Sequence, residues 1–106
     1  MKAQELRIGN YLKKDVVVKI DARSIFDIWE ETKEYQPIPL TEEWLLRFGF
    51  VSNPYQDRYE NQSIHIECNK TRGVTELWIE SMPHIKYVHQ LQNLYFALTG
   101  EELIYN

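Results

Sequence analysis

In the last quarter of the chain, Tyr87, Val88, Leu91, Leu94, Tyr95 and Leu98 recur at helical spacing and fall on one stripe roughly 120° wide. A helix with such a stripe needs an apolar surface to dock on. Elsewhere the apolar residues come in short alternating runs, the pattern of strands that present one face to a core and the other to water. Together the two patterns restrict the chain to an α+β arrangement, a helix packed on antiparallel sheet. The same helix carries a second pattern. His89, Gln92, Asn93 and Phe96 stand at i, i+3, i+4 and i+7, so they share its reverse face. A plain surface helix carries Lys and Glu there, whereas an uncharged face with an aromatic anchor resembles the core of an interface. Either this face meets a partner, or the domain buries it under its own tail or N-terminal segment.

A chain of 106 residues is expected to form one domain around one core. With 43% hydrophobic and 13% aromatic residues it is too rich in core formers to be disordered. Seven Tyr and three Trp either fill a small sheet or furnish a binding surface. Cys68 is the only cysteine, which rules out an internal disulfide framework and suits a reducing cytoplasm. The start lacks the apolar run of a signal peptide and no later segment is long and apolar enough to cross a bilayer, so a soluble cytoplasmic protein is expected. The net charge of −4 is uneven: residues 1–23 hold six basic side chains against three acidic, and residues 27–43 hold six acidic against Lys33. That polarity either orients a partner or reflects two solvated faces.

Along the chain, Leu6 and Ile8 alternate before the turn signal Gly9-Asn10, and Tyr11-Leu12 continues extended. Val16, Val18 and Ile20 form a β-branched strand. Residues 24–34 fit two patterns: Ala22, Ile25, Phe26 and Trp29 have helical spacing with Asp21 as N-cap, while the same stretch also reads as a strand buried on both faces. We take the strand, with Asp21–Ser24 as a hairpin loop, which makes the first third a three-stranded meander. The prolines keep Tyr35–Leu40 extended. A helix over 41–48 follows, with Thr41 as cap, Glu42 and Glu43 at the dipole's positive end, and Trp44, Leu45 and Phe48 buried. Gly49 suits the left-handed C′ position and Phe50 folds back toward Leu45. After a turn at Asn53–Asp57, Ile64, Ile66 and Cys68 alternate with His65 and Glu67. A turn at Asn69–Gly73 then leads to Leu77 and Ile79, which alternate with Glu76, Trp78 and Glu80. The closing helix spans about 87–99 and ends at Gly100.

The chemical constellations are weak. His65 and Cys68 lie at opposite parity on a strand and cannot converge on one ion, and His84 and His89 match no helical ligand pair, so neither a metal site nor a cofactor is expected. The same parity keeps His65 from serving as a base for Cys68. The adjacent pairs Glu30-Glu31, Glu42-Glu43 and Glu101-Glu102 diverge, and the four glycines are scattered rather than gathered into a phosphate loop. The expectation is a non-enzymatic protein. Its leading function is interaction with a protein partner, or self-association, through His89, Gln92, Asn93 and Phe96. The alternative is nucleic-acid binding by the basic meander through Tyr11, Lys13, Lys14 and Lys19, against which the overall acidity argues.

Three segments, Glu5-Leu-Arg-Ile-Gly-Asn-Tyr11, Pro37-Ile-Pro-Leu-Thr-Glu-Glu-Trp-Leu-Leu-Arg-Phe-Gly-Phe50 and Tyr87-Val-His-Gln-Leu-Gln-Asn-Leu-Tyr-Phe-Ala-Leu-Thr-Gly-Glu-Glu-Leu103, resemble those of a small family of uncharacterised proteins from Bacteroides-type bacteria and their phages or integrated elements. The resemblance implies a bacterial protein of prophage or mobile-element origin. It carries no activity, substrate or catalytic residue, and it does not extend over residues 51–86.

Overall fold

The computed structural model describes residues 3–30, 34–53, 55–71, 74–79 and 82–105. It is an α+β fold with a two-stranded and a four-stranded antiparallel sheet. After a 3-10 turn at Ala3–Glu5, strands β1 (Tyr11–Lys13) and β2 (Val17–Lys19) form a hairpin in which Tyr11 pairs with Lys19 and Leu12 with Val18. The strand expected over Leu6 and Ile8 does not form. Gly9 turns the chain at φ +97°, and the Asn10 carboxamide accepts the Arg7 N–H at 2.7 Å, so the loop closes on itself and Ile8 points into solvent.

The strand expected within 24–34 is also corrected: Ala22–Trp29 is a helix, α1, so the first third is a hairpin followed by a helix rather than a three-stranded meander. Residues 31–33 of that segment lie outside the described residues. The deciding interaction is a capping box. The Asp21 carboxylate accepts the Ser24 N–H at 3.0 Å and the Ser24 hydroxyl accepts the Asp21 N–H at 3.4 Å. These bonds favour the charged carboxylate, so the Asp21 pKa falls below its ordinary value, chiefly through the Ser24 N–H. Helical geometry then turns Ile25 and Ile28 onto Leu6, Leu12 and Ile20, with Val18 and Tyr35 closing a small core. The single core expected from chain length is therefore two clusters.

The extended segment over residues 34–40 is held at two points, Gln36 bridging to Lys13 and Pro39 to Tyr87. Helix α2 (Glu42–Arg47) follows, with Thr41 at the N-cap position, although its hydroxyl makes no capping bond. Its end has the expected geometry: Gly49 is left-handed at φ +89°, and the Phe50 N–H donates to the Leu45 carbonyl at 3.0 Å. Phe50 and Leu45 are both buried there.

Strands β3 (Val51–Asn53), β4 (Arg58–Glu60), β5 (His65–Thr71) and β6 (Val74–Trp78) form the four-stranded sheet in sequence order. In the turn between β3 and β4, the Asn53 carboxamide accepts the Tyr55 N–H, and Asp57 adopts φ +46°; residue 54 lies outside the described residues. The turn expected at Asn69–Gly73 likewise includes residues 72 and 73, which are outside them. Pairing of Tyr59 with Ile66 and of Cys68 with Leu77 sets the inner face. Tyr59, Ile66, Leu77 and Ile79 are buried on it, against Val88, Leu91 and Tyr95 of α3 (Val88–Thr99). Gly100 ends α3 in the left-handed conformation, as expected. Leu98 departs from the apolar stripe: the last turn of α3 stands clear of Ile64, Ile79 and Met82, leaving an open cleft of about 510 Å³ between them.

Candidate functional site

The reverse face of α3 is covered by the chain's own N-terminal segment. His89 and Gln92 are each 1% exposed, Asn93 is half-buried, and Phe96, at 41%, stays partly in solvent. The expectation of a free partner face across His89, Gln92, Asn93 and Phe96 is thus corrected for its buried members. The physical reason lies in residues 5–11, whose turn and first strand edge leave backbone groups that this face satisfies. The Gln92 carboxamide behaves like a neighbouring peptide unit. Its oxygen accepts the Tyr11 N–H at 2.8 Å and its amide donates to the Gly9 carbonyl at 3.0 Å, completing the open edge of β1. Asn93 donates to the Glu5 carbonyl at 2.8 Å and accepts from the buried Asn10 amide at 2.8 Å and from Arg7 Nε at 2.9 Å.

Arg7 ties the remaining ends together. Its guanidinium lies 4.3 Å above the Phe96 ring, donates to the Gln92 carbonyl, and pairs with Glu102 beyond the end of α3. Residues 5–11 and the helix α3 with its tail to Glu102 are therefore two halves of one polar seam. It joins the small N-terminal core to the main one.

His89 sits at the edge of this seam, its ring stacked on Tyr87 at 5.9 Å and its Nε2 3.4 Å from Glu5 Oε1. Burial pushes the imidazole pKa below its ordinary value, against an upward pull from the Glu5 carboxylate. The fold thus holds His89 neutral, while the unfolded chain takes up the proton first. Its contribution to stability is present above the ordinary value of 6.5 and is lost as pH falls below it. Tm is expected to drop between about pH 7.5 and pH 5, and His89→Phe to flatten that drop. Thermal melts of both proteins across this range check it; parallel curves would show that His89 is not the group responsible.

The residues of the nucleic-acid alternative are placed unevenly. Lys13, Lys14 and Lys19 are exposed, and Lys14 lies 6.0 Å from the Tyr35 ring. Tyr11 is not a free platform for a base. It is packed in a cluster with Trp44, Phe48 and Tyr105, at centroid distances of 5.6, 6.2 and 5.6 Å. These rings fill the space between one another and fasten the tail, with Leu103 buried beside them, to β1 and α2.

His65 and Cys68 point to opposite faces of the sheet, as parity requires: His65 lies outside beside Glu60, at 3.8 Å, and Cys68 packs against the main core. No group of three or more His, Cys, Asp or Glu that could hold a metal occurs among the described residues. A cleft of about 700 Å³ opens between the tail and the β4–β5 turn, with Glu60, His65, Tyr95 and Glu101 on its walls. Among the described residues its lining supplies carboxylates, an imidazole and a phenol, and no Ser, Thr, Cys or Lys. Glu60 is engaged by Arg58 at 3.2 Å, and Glu102, also in the wall, by Arg7.

The surface that sequence reasoning missed is on α1. Phe26 and Trp29 are 56% and 61% exposed, three residues apart on the helix face turned away from the small core. The signal that could have found them is the capping box Asp21-x-x-Ser24. It selects the helix over the strand and so places Ile25 and Ile28 inside and the two aromatic rings outside.

The arrangement defines a small α+β domain with two cores joined by a polar seam and an aromatic pair on an otherwise docked helix. No protein-family model, curated protein or solved structure matches the chain. Among the described residues no helix is long and apolar enough to cross a membrane.

Proposed function

We propose that this chain is a non-enzymatic protein-interaction domain of phage or mobile-element origin, and that its contact surface is the aromatic face of α1 rather than the reverse face of α3. The observation that carries the reading is the exposure of Phe26 and Trp29 side by side on a helix whose other face is already docked. Two large aromatic side chains in water cost hydration free energy that a partner recovers. Tryptophan in particular anchors interfaces at a small loss of side-chain entropy. Acidic Glu30 borders the pair and Arg23 stands at the other end of the helix, a polar rim of the kind that surrounds such anchors. The origin rests on the resemblance of residues 5–11, 37–50 and 87–103 to the mobile-element family.

Replacing Phe26 and Trp29 together by Ser is expected to change stability by no more than about 0.5 kcal/mol, because neither ring is in a core. Affinity capture followed by mass spectrometry then compares the two proteins. Loss of a captured protein by the variant, at unchanged Tm, is the expected result. Identical recoveries would remove α1 as the contact surface.

A further inference from the structure

We infer that the partner of this surface is a second copy of the chain, two α1 helices meeting antiparallel about a two-fold axis with Phe26 and Trp29 of each at the centre. The inference rests on the proposed function and names its partner. At about 100° per residue, Ala22, Phe26 and Trp29 share an arc roughly 60° wide, centred about 130° from Ile28, which faces the small core, while Ile25 borders the arc on the Trp29 side. Arg23 and Glu30 are seven residues apart, so they lie on one flank of that arc, at opposite ends of the helix.

A two-fold operation reverses the helix direction and leaves the flank on the same side of the interface. It therefore sets Arg23 of one copy against Glu30 of the other, twice. The surface thus carries its own charge complement, whereas a parallel two-fold arrangement would put the two flanks on opposite sides of the interface and leave Arg23 and Glu30 without these counterparts. Arg23 reaches Asp27 of its own helix through Nε, at 3.5 Å, and the fork of the guanidinium has further N–H donors for a second carboxylate. An eight-residue helix is only about 12 Å long, and one such pair buries less than a standard interface. The dimer is accordingly weak, forming in the micromolar to millimolar range and separating on dilution.

The test is sedimentation equilibrium of the full chain over a concentration series, with thermal melts of every variant. The wild type is expected to show a dimer fraction that rises with concentration, and Phe26→Ser with Trp29→Ser to remain monomeric at unchanged Tm. Arg23→Glu and Glu30→Arg are each expected to weaken the dimer by about tenfold, and the two together in one chain to restore it. A dimer that ignores the serine substitutions, or a charge swap that fails to restore association, overturns the inference. A wild type that stays monomeric at millimolar concentration overturns it too. In that case serine variants as stable as the wild type leave the contact surface of the proposed function intact. Serine variants that melt far lower show the face to be core and remove both readings.

Discussion

Gln92→Leu is expected to lower the melting temperature by about 15 °C, a loss near 3 kcal/mol, although it replaces a polar side chain by an apolar one of similar size in a buried position. Leucine fills the volume and would be welcome in an ordinary helix–sheet contact. Here it leaves the Tyr11 N–H and the Gly9 carbonyl without the partners they have at 2.8 and 3.0 Å. Each unsatisfied backbone group costs roughly 1–3 kcal/mol when water cannot replace the bond. The seam predicts the loss to be local as well as large: amide exchange should accelerate first in β1 and the turn before it, while β4 and β5 keep their protection. A shift of only a few degrees in thermal denaturation would show that water satisfies the edge of β1 and that the Gln92 carboxamide is not its structural partner.

Phe50→Ala is expected to cost about 3–5 kcal/mol, enough to leave a domain of this size marginally folded at room temperature. Phe50 is buried in the main core, its ring 6.4 Å from Tyr95 in an edge-on contact, and its backbone closes the end of α2 on Leu45. Truncation opens a cavity between α2, α3 and the sheet that rigid backbone on three sides cannot collapse. Chemical denaturation of Phe50→Ala beside Phe26→Ser separates the two environments of the same residue type. The first should lose several kcal/mol and the second almost none. Comparable losses at both positions would mean that the α1 face is packed in solution.

Much of the frame was legible in local signals. Residues 41–50 announce a helix and its stop through the threonine, two glutamates and Gly49, because a short helix depends on end effects that only its immediate neighbours supply. The strands at 65–71 and 74–78 follow from alternation, since one face of the sheet is buried and the other wet. Residues 22–29 are ambiguous in sequence because five apolar side chains in eight positions satisfy both a helical and a strand template. The capping box between Asp21 and Ser24, rather than the apolar pattern, decides between them. Leu6 and Ile8 failed for the opposite reason. Their alternation is real, but the Asn10 side chain competes for the Arg7 backbone and folds the segment into a turn.

By itself, then, the sequence determined the α+β class, the punctuation of α2 and α3, and the parity that separates His65 from Cys68, all of which depend on neighbours within a few residues. It also marked the reverse face of α3 as chemically unusual, but not what that face meets. Only the tertiary structure decided that, by bringing residues 5–11 across more than eighty positions of chain to His89, Gln92 and Asn93. Hydrogen-bond donors and acceptors on a helix look the same in a sequence whether a strand edge, a partner or water satisfies them. The difference appears only when the backbone that needs them is in place, and here that backbone is the protein's own, leaving Phe26 and Trp29 as the large aromatic pair turned outward on α1.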